Sequence, residues 1–124
     1  MEMLYVALGG AIGSIARYML ANVIGKQGDF PLPIMLVNVT GSFLMGLWIG
    51  YMALSGEEHA KELHLLIAVG ILGGYTTFST FSLESFLLLE KGLYTQAALY
   101  VSGSVILSIA ALFAGLFIFR TISA

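Results

Sequence analysis

The chain contains no cysteine, which excludes disulfides, thiolate metal sites and cysteine nucleophiles. Charge is almost as scarce. Only 10% of the residues are Asp, Glu, Lys or Arg, against about 25% in a soluble domain. There is no basic run, and the formal net charge of −2 argues against a nucleic-acid partner. A secretory signal is missing too: Met1-Glu2-Met3 supplies no basic n-region, and the apolar stretch behind it is too long and lacks a cleavage pattern. What fills the sequence instead is apolar surface. Hydrophobic residues make up 59% of the chain and the mean hydropathy is +0.97, the composition of an integral membrane protein.

Crossing the hydrocarbon takes about 20 predominantly apolar residues, and four stretches qualify: Leu4 to Ile24, Leu32 to Leu54, Leu63 to Leu89 and Tyr94 to Phe119. The expected fold is an all-α integral membrane protein, with four transmembrane helices forming one transmembrane domain over residues 1–124. The connections run from Gly25 to Pro31, from Ser55 to Glu62 and from Glu90 to Gly92. They leave no room for a soluble domain, and no internal repeat is evident.

Four spans put both termini and the 55–62 loop on one side with Lys61 and Arg120, and Lys26 and Lys91 on the other. The positive-inside rule counts only Lys and Arg, so two against two gives no orientation; Arg17 lies within the first span. Either topology is set by something else, or the chain inserts both ways and two opposed copies assemble about a two-fold axis in the membrane plane. Small residues recur at helix-packing spacing in every span: Gly9 with Gly13, Ser42 with Gly46 and Gly50, Gly70 with Gly74, and Ala111 with Gly115. Close backbone approach at such positions supplies packing energy in lipid. Each pair could serve contacts inside one subunit, but their presence in all four spans favours a dimer or larger assembly.

One segment interrupts the apolar pattern. Gly73-Gly74-Tyr75-Thr76-Thr77-Phe78-Ser79-Thr80-Phe81-Ser82 lies inside the third span, where a loosened backbone survives only if protein or a wet cavity surrounds it. Glycine costs about 1 kcal/mol relative to alanine in a helix interior, so the helix is expected to break at Gly73–Thr76 and release carbonyl oxygens, which are hard ligands suited to a small cation. Beyond the break, Phe78 and Phe81 are i,i+3 neighbours on one face. They are either ordinary packing or rings whose electropositive edges face an anion. Ser79 and Ser82 share a second face, and Thr76 and Thr80 a third. Glu84 either accepts from Thr80 or lies near the interface.

Arg17 sits about two-thirds along the first span. It either snorkels to the interface or holds a fixed positive charge for an anion or carboxylate. Asn38, sharing a face with Ser42 in the second span, makes an interhelical hydrogen bond or lines a pore with its NH₂ donors. Tyr100, Ser104 and Ser108 step by four along the fourth span; they bond to their own helix or form a polar track. His59 and His64 are i,i+5, a poor metal spacing, and Glu57, Glu58, Lys61 and Glu62 read as a solvated helix turn.

These residues together resemble the bacterial Fluc (CrcB) fluoride channels. The resemblance rests on Gly9-Gly10-Ala11-Ile12-Gly13-Ser14-Ile15-Ala16-Arg17-Tyr18, on Asn38-Val39-Thr40-Gly41-Ser42, and on the Gly73–Ser82 segment, which is the most specific of the three. It implies an antiparallel, dual-topology homodimer in the bacterial inner membrane, with two pores that pass fluoride passively and lower its cytoplasmic level. It further implies a structural sodium ion at the dimer centre on the carbonyls of Gly73 and Thr76, and ring edges of Phe78 and Phe81 turned to fluoride. Asn38 falls on the family's pore asparagine, and Ser79, Thr80, Tyr100, Ser104 and Ser108 on its polar track. Arg17 would serve admission of the anion, and Glu84 would support the track. No proton-transfer or ATP machinery and no enzymatic chemistry is expected. The rival reading is a small proton-coupled exporter of the multidrug-resistance type, which needs a mid-membrane carboxylate in the first span. This chain has Arg17 there instead.

Overall fold

The computed structural model describes residues 1–55 and 60–123. Helix α1 spans Glu2–Ile24 and α2 spans Leu32–Ser55. The third membrane-crossing element, Ala60–Glu90, is composite: α3 (Ala60–His64), a π-helical segment (Leu65–Leu72), the single turn α4 (Gly73–Tyr75) and α5 (Phe78–Glu90). Helix α6 spans Tyr94–Ser123. Among the described residues these make four elements long and apolar enough to cross a membrane, and the chain is a multi-pass membrane protein. Helices satisfy every backbone group internally, which hydrocarbon demands. Turns are confined to the ends. Gly92 takes a φ of 76°, a left-handed conformation that glycine adopts without penalty, and closes α5 with Leu93 N–H donating to Leu88 O at 2.9 Å. The expected solvated turn at Glu57, Glu58, Lys61 and Glu62, and His59 with it, falls partly on residues 56–59, outside the described residues.

Glycines decide which helices meet. Gly9 of α1 lies against Leu66 and Gly70, and Gly13 against Ile71 and Tyr75, so α1 runs parallel to the first half of the third span. Gly46 of α2 lies against Leu112 and Leu116, Gly50 against Phe119, and Gly115 against Phe43 and Leu47, making α2 and α6 a second parallel pair. The glycines among the small residues that favoured an assembly from the sequence are therefore spent within one chain. They carry no argument for a partner. Where α5 meets α2 and α6, Ile34, Met35, Phe81, Leu88, Ala97 and Tyr100 form the core, with Phe30, Val39 and Leu93 packed on it. Large apolar side chains such as Leu8, Ile12, Ile15 and Met19 face outward, as expected where the solvent is lipid.

The break in the third span is displaced from its expected position. Gly73 keeps helical angles (φ −62°, ψ −38°), while Thr76 (φ −85°, ψ 156°) and Thr77 (φ −150°, ψ 117°) are extended. The interruption is thus at Thr76–Thr77 rather than across Gly73–Thr76. Packing explains the shift. A Cβ on Gly74 would stand 2.7 Å from Gly10 O and 3.2 Å from Ser14 Oγ, so this glycine secures a close approach to α1 instead of unwinding the helix.

Candidate functional site

The break is built by side chains that replace lost backbone bonds. Thr77 caps α5: its Oγ1 accepts the Thr80 N–H at 3.2 Å, the bond expected of a threonine N-cap. The same hydroxyl donates to Thr80 Oγ1 at 3.2 Å and meets Ser79 Oγ at 3.2 Å. From α2, Asn38 pairs with the Thr77 backbone at two points. Its Oδ1 accepts the Thr77 N–H at 2.8 Å and its Nδ2 donates to Thr77 O at 3.2 Å. Gly41, three residues on and on the same face, leaves room for Thr76 and Tyr75, since a Cβ there would run into Thr76 Cγ2 and stand 3.0 Å from Tyr75 Cδ2. Thr40 Oγ1 meets Tyr75 OH at 2.8 Å.

The carbonyls around the break are unequally served. Leu72 O receives both the N–H and the hydroxyl of Thr76, each at 3.0 Å. Gly74 O accepts from Arg17 Nε at 3.2 Å. Gly73 O loses its ordinary i+4 donor, because the Thr77 N–H is turned to Asn38. Arg17 therefore binds the third span directly, beyond the snorkelling and free-charge alternatives. Among the described residues no group of three or more His, Asp or Glu side chains gathers to hold a metal. A cation here would rest on carbonyl oxygens, and the diverted donor leaves Gly73 suited to that.

Beside the break lies a groove of about 320 Å³ lined by Asn38, Ser42, Thr76, Thr77, Phe78, Phe81, Ser104, Val105, Ser108 and Ile109. Its aromatic wall continues inward. Phe78 and Phe81 have centroids 5.5 Å apart, Phe81 and Tyr100 5.3 Å, and Phe30 meets Tyr100 edge-on at 5.7 Å. The two phenylalanines differ: Phe81 belongs to the core, whereas Phe78 is 78% exposed. Tyr100 and Ser104 are buried, and neither hydroxyl has a hydrogen-bond partner among the described residues. Buried hydroxyls are almost always bonded, so these two are donors open to a ligand.

A second hollow, about 310 Å³, lies at the α1–α2 connection and includes Asn22, Lys26, Thr80 and Glu84. Here Glu84 pairs with Lys26 at 3.1 Å, while the Thr80 hydroxyl accepts from Thr77 Oγ1 at 3.2 Å. The fold thus gathers Asn38, Phe78, Phe81, Ser104 and Ser108 in one groove, with Tyr100 stacked behind Phe81. Thr80 and Glu84 border the other hollow, Ser79 stands at the cap, and Arg17 reaches the break from α1. From sequence alone, Thr77, Gly41 and Lys26 were assigned no site role of their own. Thr77 had a legible signal, a threonine ahead of a helical run with Thr80 three residues on. Lys26 had none, because its partner is far along the chain. His64, unsuited to metal by spacing, accepts from Trp48 Nε1 at 3.2 Å.

Comparison with known proteins adds an independent line. The family described as CrcB-like protein, Camphor Resistance (CrcB), matches residues 4–116. A protein of Caulobacter sp. (strain K31) named Fluoride-specific ion channel FluC is 46% identical over 127 residues, covering 98% of this chain and 96% of its own. One of the same name from Rhodopseudomonas palustris (strain BisB5) is 47% identical over 125 residues, covering 99% and 100%. Another, from Nitrobacter winogradskyi, is 47% identical over 121 residues, covering 96% and 95%.

Proposed function

Because the chain belongs to the CrcB-like family, whose named relatives are ion channels and not enzymes, we propose that it is a fluoride-selective channel. It passes fluoride passively across the bacterial inner membrane and lowers the cytoplasmic level of the ion. The observation that carries this reading is the groove in which Asn38, Phe78, Phe81, Ser104 and Ser108 converge. A small, tightly hydrated anion crosses only where fixed donors and dipoles replace its water, yet bind it weakly enough for exit. Hydroxyls, one amide N–H and the positive edges of aromatic rings are donors of that kind. The unpartnered Tyr100 and Ser104 hydroxyls extend the donor track inward. The proton-coupled exporter gains no support: the first span offers Arg17, bound to Gly74 O, where that mechanism needs a carboxylate.

The working unit in this reading is an antiparallel homodimer with two pores. The even Lys and Arg count on the two faces supports dual insertion, and the exposed Phe78 ring suits a groove closed by a second copy. A sodium ion on the Gly73 and Thr76 carbonyls would offset the cost of burying an anion nearby; the diverted Gly73 donor is what supports that site. Arg17, with Nε spent on Gly74, keeps its terminal N–H donors for drawing anions toward the break. Glu84, neutralised by Lys26, does not repel them. The experiment is fluoride efflux from liposomes read with an ion-selective electrode, with chloride as control. Fluoride flux well above chloride flux is expected; no flux, or equal flux of the two halides, sinks the reading. Tagging either terminus and assaying its side tests dual insertion, which a single orientation contradicts.

A further inference from the structure

Thr77 stands where the third span leaves the helix, and each of its hydrogen-bonding groups is engaged. The N–H and carbonyl form a two-point pairing with the Asn38 carboxamide at 2.8 and 3.2 Å, while the hydroxyl accepts the Thr80 N–H at 3.2 Å. We propose that Thr77 is the positioning residue of the groove, coupling α2 through Asn38 to the first turn of α5 and thereby aiming Phe78 and Phe81. The inference rests on the fluoride-channel reading and names the residue that holds its aromatic wall in place.

The geometry gives each bond a distinct task. A planar carboxamide that both donates to and accepts from one residue imitates a neighbouring strand, and it holds Thr77 in the extended conformation (φ −150°, ψ 117°) that a continuous helix would forbid. The hydroxyl then starts α5 at a fixed register, because an N-cap oxygen satisfies a first-turn N–H that has no helical partner. Phe78 is the next residue, and Phe81 lies one turn further along the same helix. Loss of either bond frees the direction of that turn. Asn38 is accordingly bound in two roles: Oδ1 and one Nδ2 hydrogen hold Thr77, and the second Nδ2 hydrogen is the donor left for the groove. The close approach this needs is supplied by Gly41, beside Thr76.

The test compares Thr77→Val, which keeps the shape and loses the capping oxygen, with Thr77→Ser, which keeps it. Fluoride efflux is measured alongside the 19F resonance of a fluorinated phenylalanine placed at position 81. Thr77→Val is expected to lower flux about five- to tenfold, the factor that loss of a typical cap converts to, and to move the 19F resonance. Thr77→Ser is expected to restore both. Lost flux with an unmoved resonance, or no rescue by serine, overturns the proposal. Should Thr77→Val fail to fold, hydrogen exchange at the Thr77 amide of the wild-type protein decides: slow exchange supports the Asn38 pairing and fast exchange overturns it. A wild-type protein that passes no fluoride but keeps the 19F response upholds the positioning role and overturns the channel reading alone.

Discussion

Two stretches of the third span depart from regular α-helix, and they do so in opposite ways. Along Leu65–Leu72 the backbone widens into a π-helix while pressed against α1, with Gly9 on Leu66 and Gly70 and with Gly13 on Ile71. The contacts of that seam are backbone on backbone. At Thr76–Thr77 the helix stops, and hydroxyls together with the Asn38 amide take over the lost bonds. In a membrane a break costs least where side chains can satisfy the freed groups. Glycine alone does not make one. Gly73 and Gly74 both stay helical, Gly74 because it serves the seam against Gly10 and Ser14, and the chain opens two residues later where polar side chains converge.

If the seam is packing and the break is function, substitutions should separate the two. The largest effect is expected on the seam. A valine at Gly13 would drive its Cβ into the Ile71 carbonyl and within 2.8 Å of Tyr75 N, and backbone cannot yield as a side-chain end can. Gly13→Val should cost about 1–3 kcal/mol or more and reduce monodisperse protein in detergent. Normal thermal stability would remove the distinction between the two regions.

Next comes Asn38→Ala, which strands the Thr77 N–H and carbonyl. Each buried unmet group costs about 1–3 kcal/mol, yet the helices and their glycine contacts stay intact. Fluoride flux should fall at least about tenfold, roughly 1.4 kcal/mol in the barrier, with the protein still folded by circular dichroism. Unchanged flux would return Asn38 to a plain interhelical bond. Phe81→Ile should then lose a modest about 1–2 kcal/mol of stability, because the ring is core, along with a clear part of the flux. Glu84→Gln should matter least. The pair with Lys26 is half open to solvent on the lysine side and is worth about 0–1 kcal/mol, so unfolding should barely shift. A flux loss as large as that of Asn38→Ala would make the second hollow part of the ion's path.

The four spans were legible because apolar length is a strong signal: the expected Leu32 to Leu54 and the observed Leu32–Ser55 differ by one residue. The third, however, begins at Ala60 rather than Leu63, and the fourth runs on to Ser123 past Phe119. The family resemblance singled out Asn38, Phe78, Phe81, Ser104 and Ser108, and these line one groove. The break was misplaced for a reason that composition hides. Low helix propensity is a local property, whereas the contact of Gly74 with Gly10 is tertiary and outweighs it. The same holds for the small-residue pairs, whose spacing shows that helices approach closely but not which helices. The π-helix leaves no mark among Leu65–Leu72, and the bonds of Arg17 to Gly74 and of Lys26 to Glu84 join residues 57 and 58 positions apart. Local pattern cannot reach them.

The most direct test is fluoride efflux from liposomes holding equal amounts of wild-type and Phe78→Ile protein, with thermal unfolding recorded on the same samples. In a single chain the Phe78 ring is 78% exposed, so replacing it removes little packing within the fold. The account predicts a strong loss of fluoride efflux with unfolding unchanged. Efflux equal to wild type would contradict it and return the ring to the ordinary apolar surface of a membrane helix.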